Sequence, residues 1–206
     1  MLRAERLSPH SMWLHGYMGT RRMFTAVSPP RLQLTELEDF LDASGISSTG
    51  LRWVAPDKWH ITLSFMPAVE AEQVGALHDA LTELATRTPP LDLRLSGAGS
   101  FARSGAATPM WIGVDGDLPS FIALAAGSLA ACHRSGARVE SSQHFRPHLT
   151  VSRHRPARHG ELWLEKLDAF RGTPWTVSEL LLIESTLGGH QQPARYSVVE
   201  RHPLRG

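Results

Sequence analysis

The sequence predicts an α+β fold whose strands pair largely antiparallel. Two observations carry this. Stretches of period-two alternation and stretches of period-3.6 apolar spacing are interleaved along the 206 residues, and several strands follow one another without an intervening helix. A third observation concerns organisation. No Pro/Gly/Ser-rich linker is long enough to separate independent units, so residues 23–206 are expected to form one domain.

Each element has its own signal. Residues 23–27 (Met-Phe-Thr-Ala-Val) read as a strand. Ser28-Pro29-Pro30 then begins a helix, with serine as cap and proline in the first turn; Leu34, Leu37 and Leu41 give it an apolar face and Gly45 stops it. Residues 51–54 form a short strand containing Arg52 and Trp53, and Pro56-Asp57 a turn. Residues 59–66 alternate. Trp59, Ile61, Leu63 and Phe65 point one way, His60, Thr62, Ser64 and Met66 the other, and Pro67 ends the strand. Helical spacing follows over 69–87, with Val74, Leu77, Leu81 and Leu84 on one face. Strands are expected at 91–95 and 110–114, and an Ala/Leu-rich helix at 118–134. In the strand 146–152, Leu149 and Val151 face one side and His148, Thr150 and Ser152 the other. A basic loop (153–160), a helix (161–170) and two strands (175–184 and 195–201) around a Gly188-Gly189 turn complete the chain.

Composition narrows the function. Hydrophobic residues make up 42% and charged residues 20%, enough for a sizeable core. The net charge of +1 excludes a global cationic field, so any affinity for nucleic acid must come from local clusters. Cys132 is the only cysteine, which excludes an intrachain disulfide and fits a reducing, cytoplasmic setting; its Ala-rich helix makes it a core residue. No apolar run approaches the roughly 20 residues of a membrane helix. Residues 1–22, with Arg3, Arg6, Arg21 and Arg22 and no apolar h-region, read as an extension rather than a secretory signal. Nothing obliges more than a monomer.

One pattern repeats. His60-Ile-Thr62-Leu-Ser64 returns as His148-Leu-Thr150-Val-Ser152. With eleven histidines and thirteen threonines, chance supplies roughly 0.7 His-x-Thr per chain. Two copies, each on an alternating strand with aliphatic residues at the intervening positions, are far rarer. A strand sets residues i and i+2 on one face, about 6.5–7 Å apart, so each copy sends an imidazole and a hydroxyl into the same space. Two such strands facing one cleft suit hydrolysis or transesterification at phosphorus. A neutral imidazole takes a proton from the attacking oxygen, an imidazolium returns one to the leaving oxygen, and Thr62 and Thr150 hold the non-bridging oxygens. The other histidines, among them His78, His154, His159 and His202, read as solvated or otherwise satisfied side chains.

These paired motifs resemble those of the 2H phosphoesterase superfamily, and the closer likeness is to the RNA 2',3'-cyclic phosphodiesterases, also called 2'-5' RNA ligases. It runs from about Met23 to Leu204 and includes Ser28-Pro29, Leu51-Arg52-Trp53, Arg146-Pro147, Arg153 and Tyr196. The resemblance implies two pseudo-symmetric lobes of antiparallel sheet with outer helices around a central cleft. It implies hydrolysis of 2',3'-cyclic phosphate ends to 2'-phosphates without a metal cofactor, with His60 as proton donor, His148 as proton acceptor and Arg153 on the phosphate. By strict alternation Arg153 points away from His148, so the strand must end or bend before it. Met66-Pro67 departs from the family, which often has a glycine there. Ser64, Ser152 and Arg146 are further substrate-binding candidates, and Trp53 and Phe145 could stack on a terminal base. Arg155 and Arg158 could reach the RNA backbone.

Other readings compete. A zinc site would need three or four ligands, and no cysteine pair or carboxylate accompanies either motif. A serine nucleophile would need an elbow motif that Ser64 and Ser152 lack. The reverse reaction, 2'-5' RNA ligation, would use the same histidines. A non-catalytic RNA- or nucleotide-binding module would have no use for two proton-transfer groups.

Overall fold

Alternation and helical spacing resolve into nine strands and four helices among the described residues of a computed structural model, which are 19–45, 52–101, 108–140, 145–154, 160–188 and 194–206. Leu51, most of the basic loop with Arg155, Arg158 and His159, Gly189, and residues 1–18 of the extension lie outside them.

In chain order the elements are β1 (Arg21–Val27), α1 (Arg31–Ala43), β2 (Ile61–Val69), α2 (Gln73–Thr86), β3 (Leu91–Ser100), β4 (Thr108–Gly116), α3 (Leu118–Arg134), β5 (Arg138–Glu140), β6 (His148–His154), α4 (Gly160–Asp168), β7 (Trp175–Val177), β8 (Glu179–Thr186) and β9 (Arg195–Pro203). All strands join one antiparallel sheet in the order β7-β3-β4-β6-β2-β1-β8-β9, with β5 on β2. The sheet divides at its middle into two lobes, β2-β1-β8-β9 and β7-β3-β4-β6, with β5 added to the first of these on β2. Helices α2 and α3 pack on β2, β8 and β9 in one lobe, and α4 packs on β3 and β4 in the other. Helix α1 joins the second lobe through Gln33, which donates to Thr173 at 3.2 Å, and through Phe40 against Phe170. The expected bilobal α+β architecture is therefore present.

The main core lies between sheet and helices, with Met23, Ile61, Met66, Leu77, Leu81, Ile112, Phe121, Leu149 and Val151 fully out of solvent. A second apolar cluster (Phe24, Ala26, Leu181 and Ile183, with Phe65 and Tyr196 against it) covers the opposite, cleft-side face of the first lobe. That explains why β1 and β8 read as continuous apolar runs: both of their faces are covered.

Several elements differ from expectation. The stretch 175–184 is two strands. Trp175 pairs with Leu93 at one end of the sheet, whereas Leu181–Glu184 pair with β1 near the other, and the break falls at Ser178. The apolar pattern does not change there; only the pairing partner does. Strand β2 passes through Pro67 to Val69, because its registers with β1 and β5 both slip around that residue, where a missing N–H is tolerated. Helix α1 starts after Pro30 without a side-chain cap, so Ser28 does not cap it. Strand β1 begins at Arg21, which places Arg21 and Arg22 in the sheet rather than in an extension.

Candidate active site

The two motif strands meet at the centre of the sheet, where Ile61 of β2 pairs with Leu149 of β6. Opposed residues on antiparallel strands share a face, with Cβ atoms about 4.5–5.5 Å apart. One residue either side of that pair, the register sets His60 opposite Thr150 and Thr62 opposite His148. The four motif side chains thus form a square with local two-fold symmetry. They line a cleft of about 280 Å³ together with Arg22, Phe24, Val54, Lys58, Phe65, Arg153, Ser185 and Tyr196.

Both strands then break alternation at the same place. Beside β1, Ser64 pairs with Thr25 and Thr62 with Ala26, leaving Leu63 bulged. Beside β4, Ser152 pairs with Met110 and Thr150 with Trp111, leaving Val151 bulged. A bulge reverses the facing of everything after it. Leu63 and Val151 enter the core, and Phe65 and Arg153, each five residues after its histidine, turn into the cleft. This is the bend that Arg153 required.

The bulges also correct the expectation for the serines. Ser64 is buried behind the sheet, 3.1 Å from Ser128 of α3, which in turn lies 2.6 Å from Thr25. Ser152 is fully buried and donates to the carbonyl of Arg52 at 3.2 Å. Neither lines the cleft. Trp53 and Phe145 do not line it either. Trp53 bridges to Ser152 through its backbone and packs on the core, and Phe145 packs against Phe121. Arg146 lies with its guanidinium over the Trp111 ring at 4.8 Å, outside the cleft.

The histidines are held in one symmetric way. Nδ1 of His60 donates to the Lys58 carbonyl and Nδ1 of His148 to the Arg146 carbonyl, both at 2.7 Å. A carbonyl only accepts, so in the neutral state each Nδ1 carries the hydrogen and each Nε2 keeps its lone pair free. Each ring is also braced by aromatics. Phe24 stacks on His60 at 4.6 Å with Tyr196 edge-on at 5.3 Å; Phe101 meets His148 edge-on at 4.9 Å, with Trp111 at 6.0 Å. Burial pushes His60 down to about 4, helped by the charges of His148 and Arg153 and opposed by the Lys58 carbonyl. His148 is lowered too, by burial first and then by the Arg146 charge, against the Arg146 carbonyl.

The lining holds three cations, Arg22, Lys58 and Arg153, and no carboxylate, which makes it an anion site. Beyond Lys58 and Tyr196 it opens into a second hollow of about 390 Å³, walled by Pro29, Pro30, Leu181, Ile183 and Val198. Sequence reading missed Lys58, Phe24, Phe65 and Arg22 as cleft residues. Carrying the period-two pattern of β1 back from Phe24 would have found Arg22; Phe65 is hidden by the bulge. Among the described residues no three His, Cys, Asp or Glu side chains gather as metal ligands.

The 2'-5' RNA ligase superfamily model matches residues 27–189. The chain belongs to that superfamily. It is 32% identical over 133 residues to the RNA 2',3'-cyclic phosphodiesterase of Escherichia coli, covering 65% of this chain and 72% of the relative. Against the protein of that name from Geobacillus stearothermophilus it is 27% identical over 171 residues, 79% of this chain, but spans only about half (52%) of that relative's length. The fold is similar to E. coli LigT in apo form (TM-score 0.73, 25% identity, 91% of this chain and 99% of that one). It is similar also to LigT complexed with 3'-AMP (TM-score 0.70, 26% identity, 90% and 98%). Both lobes of the superfamily fold are thus represented, and the relatives support one enzyme class, cyclic phosphodiesterase.

Proposed function

We propose that the protein hydrolyses 2',3'-cyclic phosphate ends of RNA to 2'-phosphates by metal-independent acid–base catalysis between His60 and His148. The observation that carries this reading is the two-fold square of His60, Thr62, His148 and Thr150 on the floor of a cleft lined by cations and free of carboxylates. An anionic cyclic phosphate seats between two imidazoles that both offer Nε2. Neutral His148 takes a proton from water, whose oxygen attacks phosphorus. The bond to the 3' oxygen breaks, and protonated His60 supplies the proton that the leaving oxygen needs. Thr62 and Thr150 donate to the non-bridging oxygens, and Arg153 offsets the charge that builds on them. Burial favours the neutral form of both rings in the free protein, and of His60 down to about 4, so the phosphate anion seated between them has to restore the proton that His60 donates. The 3'-AMP held by LigT and the name shared by the relatives support an RNA end as substrate. The protein is further read as a monomer of the cytoplasm with one bilobal domain that opens at β1; the single buried Cys132, its thiol pushed up to about 11 by burial, fits a reducing compartment.

The test is hydrolysis of an oligonucleotide ending in 2',3'-cyclic phosphate, with EDTA present. Wild type yields the 2'-phosphate. His60→Ala and His148→Ala each lose roughly 10²- to 10⁴-fold. Loss of wild-type activity in EDTA with recovery on zinc would favour a metal enzyme, and equal activity in the variants would leave the paired motifs without a catalytic part.

A further inference from the structure

The cleft and the second hollow meet at Lys58, His60 and Tyr196, which line both, whereas His148 lines the cleft alone. The proposed reaction gives this asymmetry a direction. In a displacement at phosphorus the attacking and leaving oxygens stand on opposite sides, roughly in line. Water is activated at His148, so the 3' oxygen, and the ribose that carries it, lie on the side of His60. The rest of an RNA chain continues from that ribose through its 5' oxygen, and the hollow is the space that opens there. Charge divides the path in two. The cleft holds cations and no carboxylate. The hollow is balanced, with Lys58 and Arg201 against Asp57 and Glu179, and Arg201 is paired to Glu179. An anion is therefore favoured at the threshold, beside Lys58, and a neutral group farther in, against Pro29, Pro30, Leu181 and Val198. Lys58 is fixed at both ends. Its carbonyl accepts from Nδ1 of His60 at 2.7 Å, and its ammonium donates to the Ala194 carbonyl at 2.9 Å, which leaves two of its three N–H donors for a ligand. No carboxylate pairs with it among the described residues.

We infer that Lys58 holds the phosphodiester that joins the terminal nucleotide to the one before it, and that the hollow takes that preceding nucleoside. This rests on the proposed roles of His60 and His148 for the direction of the chain. It makes the protein a reader of chain ends rather than of single cyclic nucleotides: an RNA end fills both spaces, a mononucleotide only the cleft. The contact is a charge on a backbone phosphate, so it carries no base sequence.

The experiment reads binding of product-like ligands by calorimetry, so that it does not depend on turnover. The first ligand is a dinucleotide ending in a 2'-phosphate. The second is the same dinucleotide with an uncharged methylphosphonate linkage. The third is a nucleoside 2'-phosphate with a methyl phosphodiester on its 5' position, which keeps the linkage and lacks the preceding nucleoside. Wild type binds the first about tenfold more tightly than the second, as loss of a charge-assisted hydrogen bond requires, and several-fold more tightly than the third. In Lys58→Gln, which can still donate to the Ala194 carbonyl, the preference for the charged linkage falls toward one, and Lys58→Arg restores it. A wild type indifferent to the charge of the linkage, or a preference that survives Lys58→Gln, would overturn the contact. So would a loss in Lys58→Gln that is equal for both linkages, which places Lys58 on the terminal phosphate instead. Equal affinity for the first and third ligands would put the hollow outside the path of the chain. A protein that shows the binding pattern yet hydrolyses no cyclic phosphate would keep this subsite and lose the catalytic reading; one that hydrolyses cyclic ends and ignores the linkage would do the reverse.

Discussion

At the scale of the residue, the site is two imidazoles made less basic by their own braces. Burial among aromatic rings, stacked on His60 and edge-on to His148, costs each imidazolium its hydration, and the carbonyl on Nδ1 restores only part of it. The consequence for pH is signed. The proposed hydrolysis needs one histidine charged and one neutral. Activity falls as pH drops below the lower value, because the base is protonated. It falls again as pH rises above the upper value, because the acid is lost. In the free protein both values lie under the ordinary 6.5. kcat/KM, which reports the free protein, should therefore peak on the acid side of 6.5 and decline about tenfold per pH unit through the neutral range. A bound phosphate anion favours the charged rings, so kcat should peak at higher pH than kcat/KM. A kcat/KM profile flat from pH 5 to 9 would contradict the scheme. At the same scale, Thr62→Ala should lower kcat by roughly a hundredfold in single-turnover measurements, as removal of one transition-state donor does.

At the scale of the element, the strands matter through where they break. Period-two alternation places Ser64 and Ser152 beside the histidines; one bulged residue in each strand sends them to the back of the sheet. Their substitution should act on folding rather than on chemistry. Ser64→Ala removes one partner of Ser128 in a buried hydroxyl cluster and should cost about 1–3 kcal/mol in urea unfolding while kcat/KM stays within a fewfold of wild type. A loss like that of Thr62→Ala would return Ser64 to the cleft. The neighbouring strands matter as supports. Gly99 of β3 lies beneath the Trp111 indole, and a Cβ there would stand 2.2 Å from the ring. Gly99→Ala therefore has to move Trp111, one of the two braces of His148. Stability should fall by roughly 1–3 kcal/mol, and kcat should fall with it although residue 99 touches no cleft atom.

At the scale of the whole molecule, pH acts on stability as well as on rate. His202, read from sequence as one more histidine among arginines, is 2% exposed under α2, with Nδ1 3.1 Å from the Thr82 hydroxyl. Burial, with the charge of His78 second, pushes it down to about 4. His60, His148 and His202 thus take up protons in the unfolded chain below 6.5 that the folded chain refuses. Their contribution to stability is fully present above 6.5 and drains away as pH falls toward about 4. The urea midpoint should fall over that window, and the slope should be shallower for His202→Gln; equal slopes would remove His202 from the account. The sequence by itself determined the α+β class, most helices and strands, and the four motif residues. Those signals are local: period two or 3.6, turn residues, and a repeated His-x-Thr written out in full. Tertiary structure alone decided that 175–184 splits between the two ends of one sheet, that the two motifs meet across Ile61 and Leu149, and that Phe65 and Arg153 face the cleft while Ser64 and Ser152 do not. Strand partners and bulges are set by contacts between residues far apart in the chain, and a one-residue slip reverses every side chain beyond it without leaving a mark on the local pattern.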